Sequence, residues 1–263
     1  MERDVVHKST IITHSKKERW KMKEKIVDRM SKLDLLDRDI RTALSLRATG
    51  SYDDVKNVLL PYLSDGSIFE KSKEEYQEYF GGCPGDPEIE AMVEEAHPNV
   101  YEKIVMGMQA TLIYDWPQML PHLDSWDFVR KEEVERMQMG FETLWQQAIS
   151  NLKQLPVFMK KAEGCDDYEI YEIASVNASF PSYTCSMLLR QQLWDDVYQC
   201  LNRRPFYVLP VYREYIYVIP IHGKVMDESD NLAKLQNMLP HRKFAVPFSE
   251  KIFFYDNQGI EAV

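Results

Sequence analysis

Apolar side chains recur at helical spacing through the first fifty residues of the chain. Ser15, with Glu18 three positions later, has the spacing of a capping box and opens a first helix. A second helix is predicted from Leu33 to Ala48, with Gly50 as its stop signal. The stripes consist of Trp20, Ile26, Val27 and Met30 in the first helix, and Leu33, Leu36, Ile40, Ala43 and Leu44 in the second. Each stripe occupies one side, so both helices are predicted to be amphipathic.

The helical pattern continues to about residue 155. Apolar residues keep a helical period, and proline and glycine fall between the periodic segments. The segment at residues 67–80 is strongly acidic. Further helices are predicted over residues 51–63, 67–80, 87–97, 99–115 and 131–155.

The pattern changes at Pro156, where short runs of β-branched and aromatic residues begin. The run at 215–221 is apolar on both faces, which predicts a central strand covered on both sides. The element order is β-α-β-β-α-β. Strands are predicted over residues 168–176, 206–211 and 215–221, helices over 186–201 and 229–239, and residues 244–246 and 251–255 together close the domain as strand material.

These segments together predict an α+β fold. A helical N-terminal region is followed by a small mixed or antiparallel sheet that helices cover. We divide the chain near residue 130. Residues 1–129 form the helical region, basic in its first helices and acidic afterwards, and residues 130–263 form the α+β domain.

Charge is unevenly distributed along the chain. Residues 1–47 hold 13 Lys and Arg against 8 Asp and Glu, a net charge of +5, whereas the whole chain has a net charge of −10. Such asymmetry favours either an anionic partner for the basic end or docking of the basic helix on the acidic remainder. We favour the second interpretation.

The composition predicts a cytoplasmic protein. No continuous apolar stretch follows the charged first residues, so we expect no secretory signal, and no apolar run is long enough for a membrane-spanning helix. Cys83, Cys165, Cys185 and Cys200 lie far apart, which excludes a metal knuckle and indicates reduced thiols.

The C-terminal part resembles a known family in four segments. The first, Leu144–Leu152, reads Leu-Trp-x-x-Ala-x-x-Asn-Leu. The others are Asn177–Leu189, the strand–turn–strand Phe206–Ile219, and the closing stretch Val246–Ser249. In these segments the chain is similar to the YtpQ-like proteins, a bacterial family of unknown function. The resemblance implies a fold for roughly the last 120 residues and brings no chemistry with it.

No catalytic residue, metal ligand or cofactor is predicted. No two of the six histidines have metal-binding helical spacing, and paired carboxylates such as Asp195 and Asp196 point to different sides of a helix. The alternative is a hydrolase with an unrecognised site. In that alternative Cys185 would be a nucleophile before a helix and His222 its base, although Cys185 is typical of a small packed residue.

Two groups of residues are candidates for binding. One is the basic first helix with its tryptophan, and the other lies around the strands of the C-terminal domain, where tyrosines are concentrated. The candidates are Lys16, Lys17, Trp20 and Lys21 in the first group, and Asn177, Tyr183, Tyr212 and Arg213 in the second.

Our leading hypothesis is a non-catalytic factor that docks a protein partner through an acidic, aromatic-rich surface. It would act as an inhibitor, an immunity-type factor or a regulatory adaptor, because acidic inhibitors use charge complementarity to reach basic targets. A second alternative is a nucleic-acid-binding factor that uses the basic helix. The acidity of the remaining chain disfavours that alternative, since its field repels polyanions.

Overall fold

The structure is a computed structural model of the chain. It describes residues 16–65, 87–96, 99–123, 125–162, 169–175, 181–212, 215–221, 248–249 and 251–263. Side chains are described within these stretches except at residues 16–28, 94–96, 175 and 181–183.

One continuous helix, α1 (Lys16–Thr49), begins the described chain. The prediction of two separate helices was wrong, because residues 30–33 contain no Gly or Pro that would interrupt the hydrogen-bond ladder. Its 34 residues span about 51 Å at 1.5 Å per residue. The predicted stop at Gly50 is confirmed. The Gly50 N–H donates to the Leu46 carbonyl at 2.7 Å, and a Cβ at this position would lie 2.5 Å from that oxygen.

A first antiparallel sheet follows α1. It contains β1 (Leu59–Ser64), β2 (Lys103–Val105), β3 (Met108–Asp115) and β4 (Trp126–Phe128). The long strand β3 lies at the centre, with β1 along one edge and β2 and β4 on successive halves of the other. The predicted α+β class is confirmed, with antiparallel sheets after a helical N-terminal segment.

The helix predicted over residues 51–63 was wrong for its second half. Only α2 (Tyr52–Val55) and a 3₁₀ turn (Lys56–Val58) are helical, and all six residues of β1 are buried. A short, continuously apolar run looks the same in a buried strand and in a buried helix. Pro61 is accommodated because β1 is an edge strand, the position at which a sheet accepts proline.

The helix predicted over residues 99–115 was also wrong, because β2 and β3 form a hairpin there. Met106 and Gly107 join the strands with φ values of 54° and 71°. Two consecutive residues of positive φ make the turn that matches the twist of paired strands, and glycine is favoured there. The first turn position holds a methionine, not the Asn, Asp or Gly usual there, so the sequence did not indicate a hairpin.

Three further α-helices are described in the chain between the end of β1 and residue 156. The predicted helix at 87–97 is confirmed as α3 (Pro87–Ala96). The helix predicted over 131–155 is divided into α4 (Lys131–Arg136) and α5 (Phe141–Gln154). Gln138 has a φ of 55°, and Gly140 precedes α5 in an extended conformation, so the chain turns between the two helices.

Helix α5 packs on β1 and carries the first of the four segments that resemble the YtpQ-like family. The positions that the motif specifies are all buried, and the remaining positions of the helix are not. The buried residues of α5 are Leu144, Trp145, Ala148, Asn151 and Leu152. Burial in this fold therefore accounts for the apolar motif positions, and hydrogen bonds from Asn151 to the Lys56 and Leu59 carbonyls account for its polar one.

A second sheet of six antiparallel strands forms the C-terminal part. Its order is β10-β9-β7-β8-β6-β5, and every neighbouring pair is antiparallel. The strands are β5 (Val157–Lys161), β6 (Tyr171–Ser175), β7 (Phe206–Leu209), β8 (Ile216–Pro220), β9 (Phe253–Tyr255) and β10 (Ile260–Ala262).

Four of these strands, β6 to β9, lie within predicted strands. Strand β8 is an inner strand in which every residue is buried, which confirms the central, doubly covered strand. Strands β5 and β10 were not predicted. The helix predicted over 186–201 begins instead as a 3₁₀ helix (Pro181–Leu189), and only α6 (Gln191–Cys200) is α-helical. The predicted helix at 229–239 and strand at 244–246 lie outside the described residues.

One hydrophobic cluster joins both sheets, running from Ala43 of α1 to Tyr255 of β9. A second cluster covers the other face of the second sheet. Phe206 and Val208 face the first cluster, whereas Tyr207 and Leu209 face the second. The two predicted parts of the chain therefore share core contacts, and their division near residue 130 stays a prediction.

Candidate functional site

The C-terminal third of helix α1 packs against the rest of the molecule. Residues 29–38 include no buried position, and burial begins at Asp39. The Asp39 carboxylate accepts hydrogen bonds from the Arg38 guanidinium and from the backbone N–H of His122, and it lies 3.1 Å from His122 Nδ1. Burial alone would raise the pKa of Asp39, but these hydrogen bonds outweigh it and lower the pKa.

This anchor predicts that the docking of α1 is sensitive to acid. Because the pKa of Asp39 is depressed, its stabilising effect is present above the ordinary carboxyl pKa and is lost as the pH falls through the folded-state pKa, below about 4. We expect amide protection factors over residues 39–49 to decrease below that pH. Asp39→Asn should lower them at neutral pH and abolish this pH dependence.

The matched control is Asp37→Asn. Asp37 is exposed, and among the described residues its ion-pair partner is Arg41 on the same helix, at 2.9 Å. A pH profile of protection factors identical in Asp39→Asn and in the unmodified protein would contradict the assignment.

A row of exposed apolar side chains runs along α1 at spacings of three and four residues. Met30, Leu33, Ile40 and Leu44 are 60%, 63%, 40% and 59% exposed. Asp37 occupies the intervening position, and Ile26 continues the spacing in the sequence. This is the spacing of the seam residues of a coiled coil. We call Met30, Leu33, Ile40 and Leu44 the apolar row.

The apolar row differs from the side of α1 that faces the molecule. Ala43 is buried in the main hydrophobic cluster, and Leu46 packs against that cluster. The second predicted stripe is therefore shared between two sides of the helix. Ala43 faces the core, whereas Leu33, Ile40 and Leu44 remain exposed.

The apolar row ends in an open cavity of about 900 Å³, which four elements line. Three arginines face it, so we call it the arginine groove. Its lining residues are Leu44, Arg47 and Ala48 of α1, Ala91 of α3, Trp126, Asp127 and Phe128 of β4, and Arg130, Glu132, Glu133 and Arg136 at or near α4.

Arg47 is held in the groove by two carboxylates. Its Nε donates to Glu133 Oε1 at 3.0 Å, and its Nη1 lies 3.3 Å from Asp127 Oδ1. Burial alone would lower the pKa of Arg47, but the hydrogen bond and charge of Glu133 outweigh it and raise the pKa. The remaining oxygens are also occupied. Glu133 Oε2 accepts the backbone N–H of Arg130 at 2.7 Å, and Asp127 Oδ2 accepts Nε1 of Trp116 at 2.7 Å.

The other two arginines have spare donors. Arg136 Nη2 and Arg130 Nε are buried and have no hydrogen-bond partner among the described residues. Arg136 donates only from Nε, to the Gly50 carbonyl at 3.4 Å, and the ion pair of Arg130 with Glu132 is long, at 3.8 Å. Two guanidinium groups of the groove are therefore under-paired within the described chain.

A buried tyrosine lies close to this charge network. The Tyr114 ring is fully buried and stacks on Trp116 with ring centroids 4.8 Å apart. Burial, followed by the charge of Glu133, raises the pKa of the Tyr114 hydroxyl, so the group stays neutral. Its oxygen also has no hydrogen-bond partner in the described part of the chain.

The sequence did not predict the arginine groove. Its arginines lie far apart in the chain, and no motif connects them. The predicted residues Lys16, Lys17, Trp20 and Lys21 lie in the first turns of α1, where the backbone alone is described. These four residues are about 27 Å or more along the helix from Asp39. The structure does not bring them to the groove.

The second predicted group is described only in part. Asn177 and Arg213 lie outside the described residues, and Tyr183 lies in the 3₁₀ helix with its side chain undescribed. Tyr212 is half-buried, and its ring meets Tyr217 edge-on with centroids 6.4 Å apart. Binding by these residues stays a prediction.

The nucleophile of the alternative hydrolase hypothesis is enclosed. Cys185 is 1% exposed, and its thiol donates to the Tyr212 carbonyl at 3.2 Å. This environment is typical of a packed thiol. His222, the suggested base, lies outside the described residues, so the pairing stays untested.

A cluster of Ser249, Asp65 and Lys251 ties the C-terminal segment to the first sheet. Ser249 Oγ donates to Asp65 Oδ2 at 2.6 Å and accepts the Lys251 N–H at 3.0 Å. Lys251 Nζ pairs with Asp65 and also donates to the Gly107 carbonyl at 3.1 Å. The Ser249 hydroxyl uses both its donor and its acceptor within this cluster. Because Asp65 and Gly107 belong to the first sheet's connections, the cluster joins the chain before β9 to that sheet.

Within the described residues, no group of three or more His, Cys, Asp and Glu side chains could hold a metal ion. Of the adjacent carboxylates singled out in the sequence, Asp195 and Asp196 are described. Asp195 accepts hydrogen bonds from Tyr255 and Gln191, and Asp196 accepts one from Gln192. In the described part of the chain, no helix has the length and apolarity needed to cross a membrane.

The fold and the site together define an α+β protein with two antiparallel sheets, a long N-terminal helix and a groove at the base of that helix. No protein-family model, curated protein or solved structure matches the chain. The resemblance to the YtpQ-like family therefore stays a prediction.

Proposed function

We propose that this protein is a non-catalytic binding factor that docks a protein partner along helix α1. The observation that carries the proposal is the apolar row, four large side chains exposed at coiled-coil spacing on a helix with no buried position between residues 29 and 38. A regulatory adaptor, an inhibitor or an immunity-type factor would each use such a surface. We propose the cytoplasm as its location, in keeping with the free thiols of Cys185 and Cys200.

Covering the apolar row with a partner would contribute favourable free energy to binding. Fully burying one large aliphatic side chain contributes about 1.5–3 kcal/mol, and these side chains are roughly half exposed. Each would therefore contribute roughly 1 kcal/mol when covered, before the cost of ordering a partner. A helix laid along α1 would cover all four, since seam residues of one helix insert between those of the other.

The charge of α1 indicates which kind of helix would bind. Residues 16–49 hold 11 Lys and Arg against 6 Asp and Glu, a net charge of +5. A second copy of α1 would add a further positive charge, whereas an acidic helix would be attracted. We therefore propose an acidic, helical segment of another protein as the occupant.

A direct test uses a designed peptide as the probe. The peptide is an acidic coiled-coil sequence with Ile and Leu at its seam positions and Glu at the flanking positions. We expect fluorescence anisotropy to detect its binding, and Leu33→Asp to weaken the binding by at least about tenfold. Leu33 is 63% exposed, so this substitution should leave the melting temperature unchanged.

The controls separate this proposal from its competitors. A peptide with Lys at the flanking positions should not bind, and Asp34→Ala, which removes an exposed negative charge beside the row, should not weaken binding of the acidic peptide. Equal binding of both peptides, or binding of neither, would refute the acidic-helix proposal. A dimer in sedimentation velocity that Leu33→Asp dissociates would identify a second copy of the chain as the occupant instead.

A labelled DNA duplex completes the set of probes. Tight, salt-sensitive binding of the duplex would favour the nucleic-acid hypothesis over helix docking. Replacement of Lys16, Lys17 and Lys21 by alanine would then lower the salt dependence by about one unit per lysine.

A further inference from the structure

We infer that the arginine groove binds a carboxylate group. In the complex proposed above, on which this second step rests, the carboxylate belongs to an acidic side chain of the partner helix beside Leu44. Helix docking requires only the apolar row, so the groove adds a separate, polar point of recognition at one end of it.

The inference rests first on an imbalance between donors and acceptors in the groove. Glu133 and Asp127 each use both carboxylate oxygens within the protein, on Arg47, the Arg130 backbone and Trp116. Arg136 has no ion pair among the described residues, and Arg130 has one at 3.8 Å. The carboxylate oxygens of Glu133 and Asp127 are therefore already paired, whereas the guanidinium groups of Arg130 and Arg136 keep N–H donors without an acceptor among the described residues.

Guanidinium geometry favours a planar oxyanion as the missing acceptor. A guanidinium presents paired N–H donors that match the two oxygens of a carboxylate, and such bonds are stronger than those between neutral groups. Arg136 and Arg130 are partly buried, so their charges are less screened by water than those of surface residues.

The remaining walls suit an amino-acid side chain with an aliphatic stem. Leu44 and Ala48 lie on one side, and Trp126 and Phe128 lie on another. The rings of Trp126 and Phe128 meet edge-on, with centroids 5.1 Å apart. A Glu side chain of a docked helix could place its methylene groups on these surfaces and its carboxylate on the arginines.

Glu132 is the acidic lining residue of the groove that does not pair with Arg47. Its side chain is 64% exposed, and its carboxylate lies 3.8 Å from Arg130 Nη1. A bound carboxylate would meet its negative charge. Neutralising Glu132 should therefore strengthen carboxylate binding, an effect opposite in sign to that of removing Arg136.

The experiment uses glutarate, a small dicarboxylate that binds without requiring the apolar row. Glutarate at millimolar concentration, compared with chloride at equal ionic strength, should raise the melting temperature of the protein. Arg136→Gln should abolish this rise, Glu132→Gln should enlarge it, and Arg203→Gln, at an exposed arginine of the C-terminal domain, should leave it unchanged. No rise in the unmodified protein, or an equal rise in Arg136→Gln, would overturn the groove inference.

A second measurement separates this inference from the proposed function. With the acidic peptide as the probe, Arg136→Gln should weaken binding by about tenfold, the effect of losing one charged hydrogen bond. Peptide binding that Leu33→Asp weakens but Arg136→Gln does not would leave helix docking intact and overturn the groove's part in it. A glutarate effect without peptide binding would leave the carboxylate site and reject the helical partner.

Discussion

Glu133→Ala is expected to destabilise the protein by about 3 kcal/mol, the lower end of the cost of breaking a buried ion pair. The Glu133 side chain is 4% exposed and holds Arg47 with one oxygen and the Arg130 N–H with the other. Its removal leaves the Arg47 guanidinium without its main partner, and it leaves the Arg130 N–H at the start of α4 without its acceptor. We place the cost at the lower end because Arg47 keeps Asp127 and is 19% exposed.

The measurement is urea unfolding at neutral pH, with Glu132→Ala as the control. Glu132 adjoins Glu133 on the same helix, but it is 64% exposed and its ion pair is long. An exposed pair of this kind contributes at most about 1 kcal/mol. Equal unfolding midpoints for the two variants would contradict the role assigned to Glu133.

The sequence predicts the strands of the second sheet better than those of the first. The strands near Tyr217 were predicted well, because their β-branched and aromatic residues alternate between two apolar faces. The first sheet was missed because β1 is apolar throughout, and because Met106 replaced the residues usual in a hairpin turn. In both places tertiary pairing, and not local periodicity, selects the strand.

The candidate site was predictable only in its apolar half. Helical spacing revealed Leu33, Ile40 and Leu44 as a stripe, but spacing alone cannot say whether a stripe meets the core or solvent. That distinction depends on where Asp39 meets His122, a contact between residues 83 positions apart. The groove arginines are likewise assembled by the fold, so no sequence window contains their pattern.

Asn151→Leu is expected to lower the free energy of unfolding by about 2–4 kcal/mol. We expect this loss although leucine has a volume similar to that of asparagine and position 151 lies in an apolar setting. Asn151 is 7% exposed, and its Nδ2 donates to the Lys56 carbonyl at 2.7 Å and to the Leu59 carbonyl at 2.9 Å. These bonds join α5 to the chain as it enters β1. Leaving buried acceptors without donors costs about 1–3 kcal/mol each, so two losses outweigh any gain in apolar burial.

The control for Asn151 is Gln146→Leu on the same helix. Gln146 is exposed, and within the described chain its side chain bonds to Glu142, one turn earlier, so urea unfolding should show a change within about 0.5 kcal/mol. Asn151→Asp should also destabilise, because a carboxylate cannot donate to either carbonyl and would bring its negative charge against their oxygens, while keeping the Gln147 amide as a donor. An Asn151→Leu variant as stable as the unmodified protein would mean that apolar packing alone holds α5 on the sheet. The Asn of the Leu-Trp-x-x-Ala-x-x-Asn-Leu segment would then have no structural reason to be polar.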